Sequence, residues 1–206
     1  MNSNNSLTAI ARITSIVFHP FLIPTIGFLL LFNSGFYFAI LPWNVKKYML
    51  LVVFLSTCVL PALSIGVLAL SQKFDLKMGR STDRVLPLIL SSIYYYLGYL
   101  ILLRLPVFPI YNLFLIASIL IQIGLLVVSL KWKISAHTAA IGGLVGGLFG
   151  LSFRLQENPV LILAMFVLVA GMVGTARLIL AKHTSWQVYA GFLLGFLVMN
   201  LSIWYI

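Results

Sequence analysis

Long uninterrupted apolar segments recur along the whole chain, and they limit its fold more than any other feature. Of the 206 residues, 62% are hydrophobic and only 8% are charged, whereas soluble domains carry about 25% charged residues. A helix needs about 20 apolar residues to cross a hydrocarbon core of about 30 Å. The segments predict seven candidate spans, at about 16–38, 48–70, 85–103, 109–130, 138–153, 158–180 and 186–206.

The length of these segments favours helices, because a membrane β-barrel shows alternating segments of only about ten residues. We predict an all-α, polytopic transmembrane helix bundle of six to seven spans. It should form a single domain over residues 1–206, with a polar, frayed N-terminal tail at 1–15 and a first span that is retained and not cleaved as a signal peptide. Glycines at four-residue spacing allow close helix approach, so the fifth span should lie centrally. These glycines are Gly142, Gly143, Gly146, Gly147 and Gly150.

The net charge of +10 comes from cations that are scattered singly along an apolar chain. This distribution is unlike the continuous basic surface of a nucleic-acid-binding protein, so membrane lipids are the expected partners. The single cysteine, Cys58, cannot form an internal disulfide and is predicted to pack in the interior. We expect a multi-pass protein of a bacterial inner membrane.

If each span crosses the membrane once, the N-terminus and the loops at 71–84, 131–137 and 181–185 lie on one side, called here the motif side. For any single lysine there, attraction to anionic headgroups is the simpler explanation. Arg12 and the other motif-side cations outnumber those of the far side, but the excess nearly disappears once the candidate site residues are set aside. Which side faces the cytoplasm therefore stays open.

The spacing of several motif-side residues indicates more than surface charge. Lys77 and Arg84 are seven residues apart, so their side chains point the same way if the segment is helical. Ser135 opens the fifth span where an N-cap would lie, and the backbone N–H groups of a helix start bind anions. His137 follows two residues later. These residues predict a phosphate-binding site.

A second group of polar residues lies around the turn before the last span. Arg177 ends the sixth span, His183 lies in the turn, and Gln187 follows four residues later on the same helical face. Fixed cations stabilise a phosphoryl group in the transition state, and an imidazole can attack phosphorus. Carboxylates are too few to predict a two-metal site, so we expect a reaction without metal or cofactor. The carboxylates are Asp75, Asp83 and Glu157.

Three short motifs resemble the signature of the type-2 phosphatidic acid phosphatase family, whose wider superfamily includes vanadium haloperoxidases: Lys77-x6-Arg84, Ser135-Ala136-His137 and Arg177-x5-His183. The family motifs read Lys-x6-Arg-Pro, Pro-Ser-Gly-His and Ser-Arg-x5-His-x3-Asp. The resemblance implies a phosphohistidine mechanism, with His183 as the nucleophile and His137 as the general acid. It implies phosphate binding by Lys77, Arg84, Ser135 and Arg177.

The chain departs from these motifs at five positions. Pro87 lies three residues after Arg84 instead of next to it, Ile134 replaces a proline, and Ala136 replaces a glycine. Ala176 removes a hydroxyl beside Arg177. Gln187 replaces the carboxylate that would orient the nucleophilic histidine, and it is expected to do part of that task through its amide oxygen.

Two functions follow from these observations. The first is a lipid phosphatase that acts on a lipid phosphate or diphosphate, such as phosphatidate, phosphatidylglycerophosphate, a polyprenyl diphosphate or a lipid A phosphate. The alternative is a catalytically weak or inactive relative that binds or moves a phospholipid. The apolar residues are generic and do not select one lipid. His19, which belongs to no motif, is interpreted as a packing residue.

Overall fold

The fold is all-α, as predicted. The computed structural model describes residues 2–34, 39–70, 82–156 and 159–205, and within these ranges it contains no strand. The helices are α1 Asn2–Val17, α2 Ile23–Phe32, α3 Trp43–Phe54, α4 Leu60–Ala69, α5 Val85–Leu102, α6 Pro109–Ser129, α7 Ala136–Leu155, α8 Val160–Ile179 and α9 Ser185–Trp204. A π-helical turn, Leu55–Val59, joins α3 to α4.

Six segments of the described chain have the length and apolar composition of a membrane span. Helices α3 and α4 form one of them, Trp43–Ala69, through the π turn, and α5, α6, α7, α8 and α9 form the other five. This number agrees with the lower end of the predicted range and with a multi-pass membrane protein.

The N-terminal region differs from the prediction. Residues 2–17 form α1 instead of a frayed tail, and the predicted span at 16–38 is interrupted after Val17. The interruption lies before Pro20, which has no N–H group and disfavours helical geometry in His19. Helix α2 has 10 residues, and at 1.5 Å per residue it is too short to cross a bilayer core.

The chain forms two compact units. The terminal unit comprises Met1–Ile23 and Lys133–Ile206, and the central unit comprises Pro24–Trp132. In the central unit, α2 packs on α6 through aromatic rings, including Phe28 against Phe114 with centroids 5.8 Å apart. Its polar interior includes Gln122, whose Oε1 accepts the hydroxyl of Ser91 at 2.7 Å.

In the terminal unit, α7 and α9 pack at very close range because glycines line their interface. A Cβ added at Gly142 or Gly146 of α7 would overlap the main chain of α9, and one added at Gly195 of α9 would overlap the carbonyl of Ala139. Within α7, 67% of the apolar stretch is buried, against 22–44% in the other spans. The central position predicted for the glycine-rich span is therefore confirmed.

Candidate active site

The turn between α8 and α9 holds His183 in a fixed setting. Helix α8 ends in this turn, where Ala181 adopts a left-handed φ of 49°, and Thr184 is the N-cap of α9. The imidazole of His183 is only 9% exposed. Its Nδ1 lies 3.1 Å from Oε1 of Gln187, and the backbone N–H of Thr184 donates to the same oxygen at 3.2 Å.

These two contacts determine which nitrogen of His183 carries the proton. A backbone N–H can only donate, so the atom of Gln187 that faces Thr184 is the amide oxygen and not the NH₂ group. That oxygen can only accept, so Nδ1 of His183 is the protonated nitrogen. In a neutral ring Nε2 then keeps its lone pair, which is the form that an imidazole nucleophile requires.

Ser135 connects the start of α7 to the start of α9. It is the N-cap of α7, its Oγ accepts the N–H of Thr138 at 3.4 Å, and the residue is fully buried. Its own N–H donates to the main-chain carbonyl of Gln187 at 3.2 Å. Gln187 therefore holds His183 with its side chain and the Ser135 segment with its backbone, so the second and third motifs are adjacent.

His137 and Arg177 contact the same residue of α1. Nε2 of His137 lies 3.2 Å from the carbonyl oxygen of Ser15, and Nη1 of Arg177 donates to Oγ of Ser15 at 3.2 Å. The ring of His19 lies edge-on to that of His137, with centroids 5.3 Å apart and an interplanar angle of 80°. Burial lowers the pKa of the His19 imidazole, and the positive charge of Arg177 lowers it further.

Five of the seven predicted site residues are described above and are called here the cluster; the other two cannot be placed in it. Lys77 lies outside the described residues. Arg84 lies in the central unit, at the N-cap of α5, where burial lowers the pKa of its guanidinium and neighbouring Asp83 opposes the shift. The other five predicted residues all lie in the terminal unit: Ser135, His137, Arg177, His183 and Gln187.

Two residues that contact this cluster, Ser15 and His19, were not among the predicted site residues. The only signal for His19 was its position before Pro20, which marks a helix break and not a function. Ser15 carries no local signal, because its role depends on the packing of α1 against α8.

Within the described residues, no group of three His, Cys, Asp or Glu side chains could hold a metal ion.

The cluster combines the groups that phosphoryl transfer to an imidazole uses. It has an imidazole with an unprotonated Nε2, a second imidazole, a guanidinium and the N-terminus of α7, which favours anions.

The PAP2 superfamily model matches residues 128–206, which include α7, α8 and α9 but neither Lys77 nor Arg84. No curated protein and no solved structure matches the chain. Residues 128–206 are therefore similar to the PAP2 superfamily, a group of phosphatase-type hydrolases.

Proposed function

We propose that this protein is an integral membrane phosphatase that removes a phosphate from a lipid phosphate or diphosphate through a phosphohistidine, without a metal ion. The observation that carries the proposal is the hydrogen-bonded chain from Thr184 through Gln187 to His183. It supports the proposal because it places the proton of a neutral His183 ring on Nδ1 and makes Nε2 the unprotonated nitrogen that an imidazole nucleophile needs.

In the first step, Nε2 of His183 attacks phosphorus and the bond from phosphorus to the leaving oxygen breaks. His137 gives a proton to that oxygen, which leaves as the lipid alcohol or lipid monophosphate. In the second step, His137 takes a proton from water, the water oxygen attacks phosphorus, and the P–N bond breaks. Inorganic phosphate leaves and both imidazoles return to their starting state. Arg177 and the N-terminus of α7 stabilise the negative charge throughout.

The position of the cluster supports a lipid substrate. His183, Ser135 and Arg177 lie at the ends of α7, α8 and α9, which is where a lipid headgroup meets a transmembrane bundle. The first two turns of α9 expose two aromatic side chains, Trp186 at 78% and Tyr189 at 64%. Trp and Tyr are enriched at the membrane–water interface.

The experiment uses purified protein in detergent with a panel of lipid phosphates and excess EDTA. We expect phosphate release from at least one lipid by the wild-type protein and none by His183→Ala. EDTA should leave the rate unchanged, because no metal takes part. Release that is abolished by EDTA, or that survives in His183→Ala, would contradict the mechanism.

The alternative, a relative that binds or moves a phospholipid, is favoured by one observation. Gln187 brings no negative charge to stabilise the cation that forms on His183 during attack. The same panel separates the two functions. Binding of a lipid phosphate without any release of phosphate would favour the carrier.

A further inference from the structure

The segment from Ser15 to His19 belongs to no motif and lies outside the family match, yet it contacts two residues of the cluster. Ser15 is 7% exposed on the inner face of α1. Its hydroxyl accepts from Arg177 and its carbonyl faces His137, both at 3.2 Å. One residue of α1 therefore touches both the guanidinium and the second imidazole of the cluster.

The helix break after Val17 holds His19 beside this point. The backbone N–H of Phe21 donates to Nδ1 of His19 at 3.3 Å, in the way that an Asn side chain accepts from the residue two positions later in an Asx turn. Because a backbone N–H can only donate, Nδ1 of His19 is unprotonated in this geometry. The turn fixes the ring, and the ring packs edge-on against His137.

We propose that Ser15 and His19 are positioning residues of the active site. Ser15 fixes the guanidinium of Arg177 and the tautomer of His137, and His19 holds the plane of the His137 ring. This inference rests on the proposed function, because it assigns the two residues to the phosphate-binding and acid groups of that reaction.

The contact with Ser15 defines which nitrogen of His137 transfers the proton. A carbonyl oxygen only accepts, so Nε2 of His137 carries a proton whether the ring is neutral or cationic. The proton that moves to the leaving oxygen is then the one on Nδ1. Burial and Arg177 lower the pKa of His19, which agrees with a neutral ring that places no extra cation beside His137.

The first test is nuclear magnetic resonance of the full-length protein labelled with ¹⁵N-histidine, at about pH 8 in detergent. The chain has three histidines, so single substitutions assign each ring. We expect His137 and His19 to carry the proton on Nε2 and His183 to carry it on Nδ1. A neutral His137 ring whose only proton is on Nδ1 would overturn the proposal, and this readout needs no turnover.

The second test measures kcat and KM for Ser15→Ala on the best lipid phosphate of the panel. Loss of a hydrogen bond from a charged donor should raise KM about tenfold, and Ser15→Thr, which keeps the hydroxyl, should recover most of it. Ser202→Ala is the matched control, because the hydroxyl of this serine of α9 donates to the carbonyl of Val198 in its own helix. A KM for Ser15→Ala within twofold of wild type would overturn the role of Ser15.

The third test separates the ring of His19 from its turn. His19→Asn keeps an acceptor for the N–H of Phe21 but removes the ring, and His19→Ala removes both. We expect His19→Asn to lower kcat several-fold with little change in KM, and to lower it more on substrates with poor leaving groups. An unchanged kcat in folded His19→Asn would overturn the role of His19.

These outcomes are distinguishable from failure of the proposed function. A wild-type protein that has the expected tautomers but releases phosphate from no lipid would refute the phosphatase. Phosphate release by a protein whose His137 carries its proton on Nδ1 would refute the positioning alone.

Discussion

Replacing Gln187 by glutamate exchanges the side-chain NH₂ group for an oxygen, at the position where the chain departs from the family motif that it resembles. Glutamate has the length of glutamine, so both hydrogen bonds to this side chain, from His183 at 3.1 Å and from Thr184 at 3.2 Å, can persist. The aspartate of the family motif is one methylene shorter. Gln187 already forms a capping box with the N-cap Thr184, which a glutamate can keep, and negative charge is favoured in the first turn of a helix.

The expected effect is a gain in rate. Hydrogen bonds to charged groups are about twice as strong as neutral ones, which adds about 1 kcal/mol when His183 becomes cationic during attack. Since 1.36 kcal/mol corresponds to tenfold in rate, kcat should rise about fivefold. In a serine-protease triad, an amide in place of the carboxylate costs about 10⁴ because it selects the wrong tautomer. Here the N–H of Thr184 prevents that reversal, so the wild-type loss is smaller.

The assay measures kcat on the best lipid phosphate at about pH 7.5. Gln156→Glu is the matched control, because it adds the same charge at an exposed position at the other end of α7. Gln187→Met keeps the side-chain length but removes the acceptor. It leaves Nδ1–H of His183 without this partner and should lower kcat about 5- to 150-fold, from a cost of about 1–3 kcal/mol.

Two results would refute the reasoning about Gln187. If Gln187→Met is fully active, Gln187 does not orient His183. If Gln187→Glu is folded but no faster than wild type at any pH between about 6 and 9, charge at this position does not stabilise the attacking imidazole. The wide pH range is needed because burial can raise the pKa of the new carboxyl group.

Three further predictions use other parts of the molecule. His137→Ala should lower the rate about 10²- to 10⁴-fold on lipid phosphates but much less on an activated aryl phosphate, which needs no general acid; equal losses would contradict the role. Gly195→Ala should lower the thermal unfolding temperature in detergent, because its Cβ would overlap α7, whereas Gly171→Ala, which meets no atom within 4 Å, should not; similar unfolding temperatures would show that the α7–α9 contact is not tight. Lys77→Ala and Arg84→Ala should raise KM and leave the unfolding temperature nearly unchanged; unchanged KM values would remove the first motif from the site.

Much of the fold could be predicted because a membrane span is recognised from the apolar composition of its own segment. The apolar runs located the six candidate spans of the described residues, and the glycine spacing identified α7 as the most buried of them. The predicted span at 16–38 was wrong, because the apolar character continues across His19 and Pro20 although the helix does not. The mean hydropathy of a segment does not reveal a helix break caused by the backbone geometry of a proline.

The candidate site could be predicted only where its parts repeat a family spacing. The adjacency of Ser135, His183 and Gln187 follows from two motifs at helix ends, and the structure adds the direction of the Gln187 amide. Ser15 and His19 could not be found, because α1 meets α8 only through tertiary packing. The first motif, with Lys77 and Arg84, stays a prediction.

The most direct measurement of the central claim is a search for the phosphohistidine itself. The protein is mixed with a ³²P-labelled lipid phosphate, quenched in base within one turnover, and analysed by peptide mass spectrometry. We expect a modification on His183 that survives base, is lost in acid and is absent from His183→Ala. It should accumulate in His137→Ala if that substitution slows hydrolysis of the phosphohistidine more than it slows phosphoryl transfer to His183. Steady release of phosphate with no label on His183 at any time would contradict the account.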